Sequence, residues 1–238
     1  MAEPESPEEL EQLVGYRFSE PQLLLEALTH SSYAQEAPGH LHDNEQLEFL
    51  GDAVLNFLVS VRLAESFPEY QEGKLSLARA RLVGAEHLAT VAVRLDLGRY
   101  LRLGRGEEKT GGRSNCGLLV NALEALLAAI YRDGGLEPCR EFVERFVLPP
   151  DLAACAEELI SPNYKSALQE YLHAELLPPP RYRVIEEEGP EHRKIFVMEV
   201  TVAERGAAHG RGGTKKAAEQ QAARSMLELL GRKAEVHG

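Results

Sequence analysis

The sequence predicts a multidomain chain: an all-α domain followed by a small α+β domain of order α-β-β-β-α. Three observations predict it. Apolar residues recur at helical spacing almost throughout from Leu10 to Val147, with no convincing strand before residue 150. Residues 181–187 and 193–202 then read as strands, the second with a period near two. The charge divides as well. Residues 161–238 hold 12 Lys+Arg and 11 Asp+Glu of the chain's 26 and 38, net +1, which leaves 14 and 27, net −13, for residues 1–160.

The elements follow in order. Residues 1–9 read as an acidic tail. Ser19 and Pro21 open a helix before Leu23, Leu24, Leu25 and Leu28, and Pro38 and Gly39 mark a loop over 34–42. Asp43 or Asn44 caps a helix running to about Ser66. A helical stretch from about Lys74 to Leu95 breaks near Gly84, and the Gly-rich segment 104–112 is a loop. Helices cover 115–132 and 137–147. Pro149, Pro150 and Pro162 bracket a connector holding one last short helix within Leu152 to Leu159. The boundaries are thus 7–150 for the first domain, 151–160 for the linker and 161–231 for the second. The second domain has a helix over 163–176, strands over 181–187 and 193–202, a third strand near 204–210, and a helix from Lys215 to about Leu230.

Composition excludes several classes. With 44% hydrophobic residues the chain can bury a core, so it is not wholly disordered. No apolar run reaches the roughly 18 residues of a membrane span, and the acidic Met1-Ala2-Glu3-Pro4-Glu5 start lacks the pattern of a signal peptide. Three cysteines (Cys116, Cys139 and Cys155) without a CxxC pair fit a reducing cytoplasm and argue against a disulfide framework or a zinc site. The expectation is a cytoplasmic protein with no membrane partner. Net charge −12 argues mildly against nucleic acid. Residues 205–216, however, hold Arg205, Arg211, Lys215 and Lys216 and no acid, a local basic edge that points the other way.

Two helices carry the chemistry. In 44–61, Leu47, Leu50, Val54, Leu58 and Val61 share one face, while Glu45, Glu48 and Asp52 gather on the other. Glu48 and Asp52 stand at i and i+4, where their carboxylates can converge and repel unless a cation or solvent intervenes. Hard cations take oxygen ligands; a plain solvated face is the alternative. Phe49 sits on the acidic side, where a large aromatic requires a partner surface such as a second copy of the chain. Gly51 costs on the order of 1 kcal/mol in a helix, which implies close approach of another backbone. The helix 117–130 is apolar nearly all round, so it is central, with Asn121 and Glu124 its only polar side chains. A buried Glu124 must be paired, with Arg79 or Arg81 for instance, or bound to metal. Glu72, beside Gly73, is a further candidate.

These residues resemble the ribonuclease III family. Asn44 to Leu55 is similar to its NERLEFLGD signature, and the likeness extends to Ala27-Leu28-Thr29-His30-Ser31, Glu72-Gly73 and Glu124-Ala125-Leu126 with Ala129-Ile130-Tyr131. Residues 161–231 resemble the double-stranded RNA-binding domain, through Tyr164 to Glu170, Gly189-Pro190-Glu191-His192 and Gly210 to Lys216 with Ala218-Glu219. The resemblance covers about residues 10–231. It implies an all-α ribonuclease III endonuclease domain, homodimeric, that cuts both strands of duplex RNA in rRNA precursor and mRNA processing. The products would carry 5′-phosphate and 3′-hydroxyl ends with short 3′ overhangs. It implies Mg2+, with Mn2+ as substitute, held by Glu48, Asp52, Asn121 and Glu124, of which Asp52 and Glu124 are catalytic. Glu45 and Glu72 would line the same valley, and Phe49 would insert into the partner subunit. Water, not a side chain, would be the nucleophile, and His30, rather than acting as general base, would cap a helix end or pack.

Two positions depart from the family pattern: Gln46 where Arg is frequent, and Asn121 where an Asp is common. Asn keeps a carbonyl oxygen but loses a charge. The competing reading is therefore a non-cleaving double-stranded RNA-binding protein with a metal site weakened at Asn121. In the second domain, Tyr164, Leu168, Tyr171 and Leu172 should face inward. Ser166, Gln169 and His173 should face a minor groove and its 2′-hydroxyls. Lys215 and Lys216, at a helix N-terminus, should meet phosphate. Gly210 to Gly213 should let the backbone approach RNA, and the loop with His192 should reach a second minor groove.

Overall fold

The structure is a computed structural model that describes residues 6–37, 39, 41–160, 163–189, 194–203 and 205–236, with side chains described as far as residue 231. The chain divides into two compact units, Met1–Ser161 and Pro162–Gly238.

The first unit is helical: α1 (Pro7–Val14), α2 (Pro21–Ala27), α3 (Ser31–Glu36), α4 (Glu45–Ser66), α5 (Glu72–Leu82), α6 (Ala85–Arg94), α7 (Arg105–Lys109), α8 (Cys116–Gly134), α9 (Leu136–Phe142) and α10 (Ala156–Ile160). Helix α8 is the central element. Its unbroken run from Ala125 to Ile130 is buried, as its all-round apolar sequence demands. Helix α4 lies along it and buries Leu47, Val54 and Leu58 as predicted. Leu55, Val59 and Leu63 are buried too, because neighbours cover more of α4 than one stripe.

Several expectations change. The segment 1–9 is not all tail: α1 starts at Pro7, held by Leu10 and Val14 in the core. Of the two caps expected for α4, Asn44 holds the N-cap position without a side-chain cap bond, and Asp43 Oδ1 accepts the Glu45 N–H (3.2 Å). Asn44 is buried and donates its Nδ2 to the Ala27 carbonyl (3.3 Å), pinning α4 to the end of α2. The segment 104–112 contains α7, whose first N–H, on Arg105, is accepted by the Glu36 carboxylate across the fold (3.0 Å). Residues 151–160 do not behave as a free linker, since Leu152 and Leu159 are buried in the first unit's core. Residues Val143–Val147 wind as a wider π-type turn. The break at Gly84 separates α5 from α6 as expected.

The second unit comprises α11 (Tyr164–Ala174), β1 (Arg181–Glu188), β2 (Ile195–Val202), β3 (Gly206–Gly212) and α12 (Lys215–Val236), with an antiparallel sheet of order β1-β2-β3. Met198, Val200 and Val202 turn one sheet face onto Leu168, Leu172, Ala218, Ala222 and Met226. That layering satisfies the period-two strand and both amphipathic helices at once. Gly210 and Gly212 have a role other than the expected one. A Cβ on Gly210 would lie 2.1 Å from the Ala222 nitrogen, and one on Gly212 2.5 Å from that of Ala218. These glycines let β3 press on the backbone of α12, and Gly210 is buried there. Among the described residues no helix is long and apolar enough to cross a membrane.

Candidate active site

Helices α4 and α8 meet at an unusually short distance. A Cβ on Gly51 would stand 1.8 Å from the Glu124 carbonyl oxygen, so only glycine permits this crossing. The backbone approach implied by Gly51 is thus that of α8, and it sets the acids of α4 beside Asn121 and Glu124. A cleft of 560 Å³ opens there, lined by Glu45, Glu48 and Asp52 of α4, Asn121 and Glu124 of α8, His30 and Ser31 at the start of α3, Asn44, and Phe49. The lining contains four carboxylates and neither Lys nor Arg.

The electrostatics follow from that crowding. Burial, then repulsion from Asp52 and Glu48, pushes the Glu124 carboxyl up to about 7. Burial, then Glu45 and Asp52, raises Glu48, while His30 nearby works in the opposite direction. Asp52 Oδ1 accepts from Asn56 Nδ2 (2.8 Å), which turns it along its own helix. Among the described residues no three His, Cys, Asp or Glu side chains stand at metal-ligation spacing, so the carboxylates ring the cleft without converging. The donor set is nonetheless all oxygen from the acids and the amide, which suits a hard divalent cation. Arginine pairing of Glu124 does not occur through Arg79, whose Nη1 donates to Ser60 (3.1 Å).

The predicted residues are not all brought together. Glu72 begins α5 outside the cleft wall and accepts from Ser76 Oγ (2.7 Å). Phe49 is 82% exposed at the rim, and Phe57, two turns along the same helix, is 53% exposed. Sequence reasoning missed Phe57, Asn56 and the place of His30 on the cleft wall. The first two carry a signal in their position on α4. The third has none, because its neighbours come from distant parts of the chain.

In the second unit, Ser166, Gln169 and His173 lie exposed on α11, and Leu168 and Leu172 on its buried side. Asn163 fixes the start of that helix: its Oδ1 accepts the Ser166 N–H (3.3 Å) and Gln220 Nε2 (2.9 Å). Lys165 Nζ meets Glu219 at 2.6 Å. These contacts tie the polar face of α11 to the first turns of α12, where Lys215 and Lys216 are exposed. Thr214 caps α12 by accepting the Ala217 N–H (3.1 Å). Lys215 also pairs with Glu187 (3.5 Å) and Arg211 with Glu188, so the basic edge is partly offset by β1. His192 lies outside the described residues.

Comparison with known proteins places both units. Residues 20–151 match the family model described as Ribonuclease-III-like, and residues 164–230 match the double-stranded RNA binding motif. Ribonuclease 3 of Solibacter usitatus is 52% identical over 235 residues, covering 94% of this chain and 87% of that protein. Ribonuclease 3 of Magnetococcus marinus is 48% identical, covering 96% and 94%. Among solved structures, the ribonuclease III nuclease domain of Campylobacter jejuni superposes with a TM-score of 0.56 at 38% identity, over 60% of this chain and 96% of that one. Its published description concerns flexibility in a region involved in dimer formation. An acid-lined cleft between two helices, a second unit that matches the double-stranded RNA binding motif and relatives alike along nearly their whole length lead to one conclusion: the chain belongs to the ribonuclease III family and is an endoribonuclease for double-stranded RNA.

Proposed function

We propose that the α4–α8 cleft hydrolyses phosphodiester bonds of duplex RNA with Mg2+, for which Mn2+ can substitute, leaving 5′-phosphate and 3′-hydroxyl ends with short 3′ overhangs. The observation that carries this reading is the cleft's charge. Four carboxylates with no Lys or Arg among them repel a polyanion, so RNA enters only with cations. Glu48, Asp52, Asn121 and Glu124 would hold the metal, Asn121 through a neutral carbonyl oxygen. When bound, a divalent cation activates water and offsets charge at the scissile phosphate. The protein contributes the rigid α4–α8 crossing that keeps those oxygens facing one space, and Glu45 adds to the field at the mouth. Long duplex RNA incubated with the protein should be cut only when Mg2+ or Mn2+ is supplied. End mapping should find the stated termini, and equal cleavage in chelator would remove the metal assignment. Ribosomal and messenger RNA precursors in the cytoplasm are the substrates this reading favours.

The chain acts as a homodimer in this proposal. Phe49 is nearly fully exposed beside the cleft, and a large apolar side chain in that position is stabilised by a partner surface. The dimer-forming nuclease domain of the Campylobacter relative supports it. Phe49→Ala should shift sedimentation from dimer toward monomer and lower cleavage with it; an unchanged dimer constant would place the interface elsewhere.

The second unit supplies affinity. Ser166, Gln169 and His173 face the minor groove, and Lys215 and Lys216 face phosphate. The loop bearing His192 belongs to the same proposal. Lys215→Ala combined with Lys216→Ala should weaken duplex binding and reduce the slope of log affinity against log salt by about 1 to 2. Retained affinity and slope in a filter-binding titration would discard the phosphate contacts.

A further inference from the structure

His30 is more than a helix cap. Its backbone is held on both sides: its N–H donates to the Arg102 carbonyl (3.1 Å), and its carbonyl accepts the Tyr33 N–H (2.9 Å). The ring is held too. Nδ1 accepts the Ser32 backbone N–H (3.3 Å) and lies 2.8 Å from Ser32 Oγ. That hydroxyl accepts the Gly104 N–H (2.9 Å), which leaves its own proton for Nδ1. With Nδ1 occupied as an acceptor, the neutral ring carries its proton on Nε2. Among the described residues Nε2 has no protein partner, and the ring lines the same cleft as Glu48, Asp52 and Glu124.

A half-buried ring whose tautomer is set by a three-member relay from a distant segment, with its donor edge unused, is an arrangement a cap alone does not need. An Asn or Ser would cap α3 as well. The ring is also the one cationic or N–H-bearing side chain besides Asn44 and Asn121 in an otherwise acidic lining. We infer that His30 Nε2–H donates a hydrogen bond to a non-bridging oxygen of the phosphate being cut, a bond that forms as charge builds there in the transition state. Ser32 and Gly104 act as positioning groups through it. This inference rests on the reading of the cleft as the site of hydrolysis.

The discriminating variant is His30→Asn. Asn can offer an oxygen near the place of Nδ1 and so keep the cap, but it cannot reach the place of Nε2. The expected result is a fall in kcat on the order of 10²-fold, the scale for losing one donor aimed at developing charge. KM, duplex affinity without divalent cation, and thermal midpoint should stay at their wild-type values. His30→Gln, whose amide reaches as far as Nε2, should recover most of the turnover. Two-bond 15N–1H correlation spectra of the wild-type protein should show a single Nε2–H tautomer for His30. Wild-type turnover in His30→Asn, or an Nδ1–H tautomer, overturns the inference. Asp52→Ala separates the two levels. If it still cleaves, the reading of the cleft itself is wrong; if it is inactive while His30→Asn is fully active, only the role of His30 is lost.

Discussion

Glu124→Gln is expected to stop cleavage while making the protein more stable at alkaline pH. The loss should be on the order of 10³-fold in single-turnover cleavage, because the amide removes a negative oxygen from the proposed metal-binding set. Duplex affinity without divalent cation should persist, because the side chains proposed to supply that affinity belong to the second unit. The gain in stability follows from the raised carboxyl. Its folded value of about 7 lies above that of an ordinary glutamate, so folding favours the protonated form. The stability associated with Glu124 is therefore fully present at acid pH, declines as pH rises from about 4.5 through about 7, and is gone above that. The difference amounts to at most about 3 kcal/mol. Gln cannot ionise, so the variant should melt several degrees higher than wild type at pH 8 in chelator and level with it near pH 4.5. Parallel pH profiles of the two melting curves would show that Glu124 is not strained by its neighbours.

Gly51→Ala should be the most damaging single methyl in the first unit. The added carbon falls 1.8 Å from the Glu124 carbonyl oxygen and 2.4 Å from its carbon, and both partners are helix backbone. Neither can yield as a side chain tip would, so α4 and α8 must separate along their contact. The better helix propensity of Ala returns only about 1 kcal/mol. A net loss of roughly 3 kcal/mol or more is expected, with a melting point lower by about 10 °C. Cleavage should fall further than stability alone explains, since the same displacement draws Asp52 away from Glu124. A urea titration with an unchanged midpoint would contradict the close crossing.

How much of this was legible beforehand differs by level. Helix against strand was readable because burial on one face imposes a period, and α4 and β2 follow it. So was the division of labour: an acidic helical half and a basic-edged α+β half have different partners, and the family comparisons carry both. Boundaries read less well wherever the stabilising partner was remote. Helix α7 depends on Glu36, and α10 on a core that its own short sequence does not announce.

The sequence by itself determined which residues are acidic and which faces are apolar, because those properties reside in single side chains and their spacing. Only the tertiary structure decided which acids share a cleft. It joined Glu45, Glu48 and Asp52 to Glu124 from a helix some seventy residues away and left Glu72 outside. It also turned Gly210 and Gly212 toward α12 and lifted the Glu124 carboxyl. Repulsion and desolvation depend on distance through space, and no local pattern encodes the distance between two helices that meet only when the core closes.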